Sequence, residues 1–136
     1  MTAGYSGSPL VKKLGIQPGF RVAFVHAPAD YFLLPHLPPD VTQIALSDAQ
    51  GDCDFVQAFY TERAILAEEF PLLKAALRKD GMLWVSWAKK AAKIPTDLDE
   101  NIVRDIGLAA GLVDVKVAAV DNTWSGLKFV YRVKDR

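Results

Sequence analysis

GFRVAFVHAPAD, residues 19–30, is the stretch of the chain that decides the fold. Its centre, residues 21–26, is almost continuously apolar, which is typical of a β-strand that is covered on both faces. Strands of this kind occur in parallel sheets with helices packed on either side. The stretch therefore predicts an α/β domain whose first strand ends at His26.

A short helix is predicted on the N-terminal side of this strand. Ser8 is a suitable N-cap, Pro9 fits the first helical position, and Gly15 can adopt the left-handed conformation that ends a helix. Residues 17–19 (QPG) then form a turn into the strand.

On the C-terminal side we expect a short helix at residues 29–34, closed by prolines, and then two further strands. Residues 41–46 are predicted to form the second strand and residues 55–60 (FVQAFY) the third. Thr61 is a suitable cap for the next helix, whose apolar residues recur near helical spacing. Pro71 is expected to kink or break that helix.

The alternation of strand and helix continues beyond this point. Asp80-Gly81 is predicted to turn the chain into the most strand-like segment, residues 82–87 (MLWVSW). After the lysine-rich loop 88–95, Thr96 or Asp97 offers a capping box for a helix that ends at Gly111. Trp84 and Trp87 fall on opposite faces of their strand, so Trp84 is expected in the core and Trp87 near a pocket.

Two strands close the chain. Apolar residues alternate with polar ones in residues 113–117 and again in residues 127–133. Their connection, residues 121–126, is short enough for an antiparallel hairpin. The whole pattern predicts a single doubly wound, Rossmann-like domain over residues 1–136, with about six strands, mostly parallel, and one antiparallel strand from the C-terminal hairpin.

Composition excludes several classes of protein. The chain has 136 residues, 51% of them hydrophobic, and its sixteen basic residues balance sixteen acidic ones. A neutral chain has no overall attraction for nucleic acid or anionic lipid. Cys53 is the only cysteine, so no intramolecular disulfide can form. With no signal peptide and no apolar run of about 18–20 residues, we expect a cytoplasmic protein without a membrane span.

The order of elements resembles that of class I S-adenosylmethionine-dependent methyltransferases. The resemblance rests on a strand after LGIQPG, the FVQAFY strand, the helix into DGMLWVSW and the helix into LVDVKVAAV before the closing hairpin. It implies the strand order 2-1-3-4-6-5 with the sixth strand antiparallel, and one strand–helix unit fewer between Leu46 and Asp54. Open sheets of this kind bind ligands beyond the strand ends at the switch point between strands one and three.

Three sequence blocks also resemble the bacterial family known as domain of unknown function 3052. They are GYSGSPLVKKLGIQPG (4–19), LWVSWAKKAAKIPTDL (83–98) and LVDVKVAAVDNTWSGLKFV (112–130). That family has no established activity, so the resemblance implies a fold and little chemistry.

The residues that would hold an adenosyl cofactor are missing from the expected positions. A methyltransferase needs a glycine-rich turn after the first strand, because a Cβ there blocks the approach of the cofactor. The turn here is HAPAD, without glycine, and Pro28 removes a backbone donor. The second strand carries Ala45 and Leu46 where a ribose-binding carboxylate is expected, with Asp48 slightly beyond. We therefore expect no cofactor and negligible affinity for S-adenosylmethionine.

Several polar and aromatic residues are nevertheless predicted to converge at the ligand end of the sheet. The candidate crevice consists of His26, Asp30, Tyr60, Thr61, Trp87, Lys89, Lys90, Asp121, Asn122, Trp124 and Ser125.

Each of these candidates also has a structural explanation. His26 is typical of a hydrogen-bonded residue at a strand end, and Lys89 and Lys90 of a solvated loop. Trp124 either covers the crevice or staples the hairpin. Cys53 lacks an activating base, and His26 and His36 lack a metal-ligand spacing.

The sequence favours a domain without S-adenosylmethionine-dependent catalysis that binds a small ligand or a protein. One alternative is a divergent active methyltransferase, with Asp48 or Asp30 at the ribose and Trp124 or Tyr60 against adenine or substrate. The other is a structural subunit of a larger assembly.

Overall fold

The computed structural model describes residues 7–136, which form one six-stranded sheet with helices on both faces. The elements are α1 (Gly7–Leu14), β1 (Arg21–Val25), β2 (Thr42–Gln43), β3 (Cys53–Tyr60), α2 (Arg63–Ala76), β4 (Leu77–Ala88), α3 (Glu100–Ala109), β5 (Leu112–Ala119) and β6 (Trp124–Tyr131). No helix within these residues is long and apolar enough to cross a bilayer.

The strand order is β2-β1-β3-β4-β6-β5, which confirms the predicted topology. Strands β2, β1, β3 and β4 are parallel, and β6 runs antiparallel to both β4 and β5. Because β1 lies between β2 and β3, the switch point of the sheet falls at its C-terminal end. Val25 pairs with Ala58, so His26 follows β1 next to the last residues of β3.

Each face of the sheet has its own core. On one face α2 and α3 pack against the sheet through residues such as Phe70 and Val103. On the other face α1 packs together with the segment 27–41, which buries Tyr31 and Leu33. Trp84 and Trp87 lie on opposite faces, as predicted, and both are buried.

The first helix ends as predicted but begins earlier, at Gly7, so Ser8 lies inside the helix and Pro9 is not its first residue. Pro9 lies within α1, and Gly15 has φ +89° directly after the helix. The amides of Gly15 and Ile16 both donate to the Val11 carbonyl, at 3.0 and 3.1 Å. A glycine accepts this left-handed conformation without strain. The predicted capping by the Ser8 side chain lies outside the described side chains.

Two local predictions between β1 and β3 were wrong. The helix expected at residues 29–34 does not form, and only a 3₁₀ turn at Leu34–His36 is present. Pro28 and Pro35 leave too short a segment between them to nucleate a helix. The second strand is only Thr42–Gln43 instead of residues 41–46. The pairing stops opposite Val22, and the chain then enters a 3₁₀ turn at Leu46–Asp48.

The two helix starts also differ from the prediction. Thr61 is not the cap of α2: Glu62 holds the N-cap position, and the Arg63 amide donates to Asp97 Oδ1 at 2.7 Å. Asp99, not Thr96 or Asp97, caps α3, since its Oδ1 accepts from the Ile102 amide at 2.9 Å.

Thr96 is used elsewhere, because its hydroxyl donates to the Thr61 carbonyl at 2.6 Å. This bond joins the two loops that precede α2 and α3. The caps were therefore decided by contacts between loops that lie far apart in sequence.

Helix α2 is continuous through Pro71. Proline removes one helical hydrogen bond, which normally kinks or breaks a helix. Here Leu66, Phe70 and Leu73 are buried on the sheet, and the Phe70 ring lies edge-on to Phe129 at 5.7 Å. Packing before and after the proline offsets the lost bond, while Pro71 itself is exposed.

Strand β4 begins earlier than predicted, at Leu77 instead of Met82. Leu77 pairs with Cys53 and Met82 with Phe55, so residues 78–81 form a bulge. The turn expected at Asp80-Gly81 is part of this bulge. A Cβ at Gly81 would lie 2.7 Å from the Cys53 carbonyl oxygen, so only glycine fits there.

Candidate functional site

A cleft of about 280 Å³ opens at the C-terminal ends of β1 and β3, beside the β5–β6 hairpin. This is the switch point where open α/β sheets bind ligands. The cleft is lined by His26, Phe59, Tyr60, Thr61, Glu62, Ile65 and Trp124.

A carboxylate from α2 joins the two strand ends at this cleft. Glu69 Oε1 lies 2.8 Å from His26 Nε2 and 2.7 Å from the Tyr60 hydroxyl. The rings of His26 and Tyr60 meet edge to face, with centroids 5.3 Å apart. The three side chains form one hydrogen-bonded cluster, here called the His26–Glu69–Tyr60 cluster.

Electrostatics determine the proton positions in this cluster. The hydrogen bonds from Tyr60 and then His26 lower the pKa of Glu69, which is therefore a carboxylate at neutral pH. Burial, followed by the bond to Glu69, raises the pKa of Tyr60, which stays neutral and donates. Because a carboxylate only accepts, His26 donates to Glu69 from Nε2.

The backbone at His26 is left-handed, with φ +57°. Glycine adopts this conformation at little cost, and other residues pay a steric penalty. The turn therefore has the backbone of a glycine position but carries an imidazole, which is half-exposed and held by Glu69.

Aromatic rings form the other wall of the cleft. The Trp124 indole lies edge-on to Phe59, with ring centroids 5.2 Å apart. Its backbone also takes part in the hairpin turn, because its amide donates to Asp121 Oδ1 at 2.8 Å. The Trp124 residue therefore lines the cleft, while its backbone amide belongs to the hairpin turn.

Three side chains, Tyr31, Gln57 and Ser86, form a buried series of hydrogen bonds on the same face of the sheet as Phe59. The Tyr31 hydroxyl donates to Gln57 Oε1 at 2.7 Å, and Gln57 Nε2 donates to Ser86 Oγ at 3.3 Å. Gln57 and Ser86 are fully buried. Burial is also the main cause that raises the pKa of Tyr31. The sequence did not predict this series of hydrogen bonds, because Gln57 lies within an otherwise apolar strand.

Four of the predicted crevice residues lie together in the cleft: His26, Tyr60, Thr61 and Trp124. The remaining predicted residues do not line it within the described part of the chain, namely Asp30, Trp87, Lys89, Lys90, Asp121, Asn122 and Ser125.

The reasons for this separation are local. Trp87 is buried against α2 and α3, and Lys90 is exposed in a 3₁₀ turn. Lys89 Nζ donates to the Asp121 carbonyl, and the Asp121 carboxylate accepts from the Thr123 amide. Lys89 and Asp121 therefore hold the base of the hairpin.

Sequence analysis missed Glu62, Ile65 and Glu69. These residues have the helical spacing i, i+3 and i+7, which places them on one face of α2. The face flanks the buried stripe of Leu66, Phe70 and Leu73. That spacing was a usable signal, although it does not reveal which strand end the face meets.

The turn after β1 differs from the glycine-rich turn that the methyltransferase resemblance implies. Ala27 and Phe32 pack on the core that holds Tyr31 and Leu33, so the segment lies down on the sheet. Within residues 26–41 the structure contains a 3₁₀ turn and no α-helix, so no helix N-terminus faces the turn. The end of β2 offers Gln43 and no carboxylate.

Neither a metal centre nor a reactive thiol is supported in the described residues. No group of three potential metal ligands occurs among them. Cys53 is fully buried, and burial raises the pKa of its thiol to about 11. A thiol in this state is a structural side chain.

The sheet order and closing hairpin define a methyltransferase-like α/β fold. A SAM-dependent methyltransferase from Aquifex aeolicus has a TM-score of 0.69 at 16% identity, over 92% of this chain and 89% of that one. The 1,6-didemethyltoxoflavin-N1-methyltransferase of Burkholderia thailandensis has a TM-score of 0.62 at 15% identity, over 90% and 75%. The magnesium protoporphyrin IX methyltransferase of Synechocystis has a TM-score of 0.60 at 13% identity, over 93% and 80%.

Similarity at these identities shows the fold alone. No protein-family model matches the sequence, and no curated protein matches it. Membership in the family of domain of unknown function 3052 therefore remains a prediction from the three sequence blocks.

Proposed function

We propose that this chain is a methyltransferase-like domain that does not use S-adenosylmethionine and acts as a small-ligand or protein-binding module. Its ligand site is the cleft between His26 and Trp124. The observation that carries the proposal is the turn after β1, where a methyltransferase requires a glycine-rich cradle.

Three features of that turn support the loss of the cofactor. His26 places a side chain at a left-handed position that suits glycine, and that side chain is tied to Glu69. Pro28 lacks an amide donor. The segment that follows packs on the sheet through Tyr31 and Leu33 instead of forming a helix. Each feature removes part of the backbone surface that an adenosyl group would contact.

The size and lining of the cleft support a small ligand. Pockets for drug-sized ligands have roughly 300–1,000 Å³, and this cleft lies at the bottom of that range with about 280 Å³. Phe59, Ile65 and Trp124 supply apolar surface, while Thr61, Glu62 and the His26–Glu69–Tyr60 cluster supply polar groups. This combination of apolar wall and few polar groups is typical of ligand sites.

A thermal titration tests the proposal. A ligand at about 100 times its dissociation constant adds ~2.7 kcal/mol to the stability of the folded state. For a domain of this size the gain corresponds to a rise in Tm of several degrees. We expect no saturable shift with S-adenosylmethionine, S-adenosylhomocysteine or adenosine. A saturable shift with either adenosyl compound would overturn the proposal.

A divergent methyltransferase is the second candidate, and the His26–Glu69 pair favours it. A histidine oriented by a carboxylate is a common general base, and half of the His26 side chain is exposed at the cleft. The same titration separates the candidates, because this one requires binding of S-adenosylmethionine. Methyl transfer that is lost in His26→Gln, together with cofactor binding that persists, would establish it.

A further inference from the structure

The charged groups around the cleft are mainly acidic. Glu62 lines the cleft, and Glu69 lies behind the lining, bonded to His26 and Tyr60. Asp97 lies near the same helix start, through its bond to the Arg63 amide at 2.7 Å. Among the described residues that line the cleft there is no lysine or arginine. The field inside the cleft therefore favours positive charge.

One feature opposes this field. The N-terminus of α2 reaches the cleft at Glu62, and a helix N-terminus carries a partial positive charge of about half a unit. Asp97 accepts the first free amide of α2, and the Glu62 carboxylate stands at the N-cap position. The Asp97 carboxylate therefore offsets the helix dipole, and the Glu62 carboxylate, which makes no capping bond, is left to act on a ligand in the cleft.

The aromatic residues that line the cleft also favour a cation. Trp124 and Phe59 meet edge to face at 5.2 Å on one face of the sheet, and Tyr60, the next residue of β3, lines the cleft from the opposite face. The face of an aromatic ring attracts a cation within about 6 Å, most strongly when the cation is an alkylated ammonium that is weakly hydrated. Carboxylates and aromatic rings around one small cleft form the arrangement that recognises such cations.

We propose that the cleft binds a small organic cation that carries an alkylammonium group, with Trp124 and Glu62 as its main contacts. This inference rests on the proposed function, because it takes the cleft as the ligand site. It adds the charge and the chemical class of the ligand.

The test compares a cation with its neutral isostere. Choline and 3,3-dimethylbutan-1-ol have the same shape and differ in one charged nitrogen. Each is titrated into the full chain at constant ionic strength, and binding is followed by calorimetry and by tryptophan fluorescence. We expect saturable binding of choline with a dissociation constant of about 1–10 mM and at least about tenfold weaker binding of the alcohol.

Matched variants test whether choline binds in the cleft. Glu62→Gln removes one carboxylate from the lining, and Glu68→Gln makes the same change on an exposed part of α2 outside the lining. Glu62 makes no side-chain capping bond, so its substitution leaves the helix start intact. We expect Glu62→Gln and Trp124→Leu to weaken choline binding by about three- to tenfold, and Glu68→Gln to leave it unchanged.

The outcomes also separate this inference from the proposed function. Equal binding of choline and the alcohol, with dependence on Trp124, would overturn the cation preference and leave a small-ligand cleft. Absence of choline binding up to about 50 mM, or equal effects of Glu62→Gln and Glu68→Gln, would overturn the inference as well. A saturable response to S-adenosylmethionine would instead count against the proposed function.

Discussion

His26 Nε2 and Glu69 Oε1 lie 2.8 Å apart, although 43 residues separate them in the chain. This bond ties the end of β1 to the middle of α2, across the switch point of the sheet. The Tyr60 hydroxyl donates to the same oxygen from the end of β3. The carboxylate of Glu69 therefore holds two residues that line the cleft, His26 and Tyr60.

Glu69→Gln should destabilise the domain by about 1 kcal/mol at pH 7, because two hydrogen bonds lose their charged acceptor. Urea denaturation measures the loss. Glu68→Gln is the control and should change stability by less than about 0.5 kcal/mol, since Glu68 is exposed on the same helix. Equal effects of the two substitutions would show that the bonds at Glu69 add nothing to stability.

The difference in stability between wild type and Glu69→Gln should depend on pH. The pKa of Glu69 is lowered in the folded state. Its contribution is therefore fully present above the pKa of an unfolded glutamate, about 4.3, and is lost as the pH falls through the lower folded value. The stability difference between wild type and Glu69→Gln should shrink below about pH 4. A difference that grows on acidification would contradict the assignment of a carboxylate.

His26→Gly should be more stable than His26→Ala by about 1 kcal/mol. Both variants lose the bond to Glu69, and only alanine keeps the steric penalty at φ +57°. Thermal melts of the two variants give the difference directly. If the alanine variant is the more stable one, the backbone at this position is not left-handed in solution.

Tyr31→Phe should cost about 1–2 kcal/mol, because Gln57 Oε1 is buried and would lose its donor. Tyr131→Phe is the comparison, since its hydroxyl donates to the Lys74 carbonyl over a longer 3.1 Å in a partly exposed setting. We expect a smaller loss there. Chemical denaturation checks both, and a larger loss at Tyr131 would contradict the importance of the buried series of hydrogen bonds.

Gly107→Ala should destabilise the domain by about 2 kcal/mol or more, although the same change stabilises an exposed helix position by about 1 kcal/mol. A Cβ at Gly107 would lie within 2.0 Å of the Phe129 ring, which is fully buried. Asp105→Ala, at an exposed position of α3, is the control and should be nearly neutral. A gain in stability for Gly107→Ala would show that α3 does not pack on Phe129 as described.

Most of the fold could be predicted from local patterns. The apolar run of β1 and the alternation in β5 and β6 report on neighbours within a few residues, and the strand order followed from the resemblance. Predictions failed where the outcome depended on contacts between distant segments. Thr96 bonds to the Thr61 carbonyl, so Asp99 and not Thr96 became the cap of α3.

The residues of the candidate site also fall into those that the sequence predicted and those that it did not. Residues at strand ends, such as His26 and Tyr60, were predictable because the carboxyl ends of parallel strands meet at one edge of the sheet. Glu69 was not, because its place at the cleft depends on the rotation of α2 about its axis. That rotation is set by the packing of Leu66, Phe70 and Leu73 on the sheet.

The sequence by itself determined the class of fold, the order of its elements and the glycine-free turn after the first strand. These properties depend on side-chain size, polarity and period along the chain. Only the tertiary structure decided which side chains meet, bringing Glu69 to His26 and Trp124 to Phe59. Such contacts depend on the distance and the rotation between packed helices and strands, and a local pattern of residues carries no information about either.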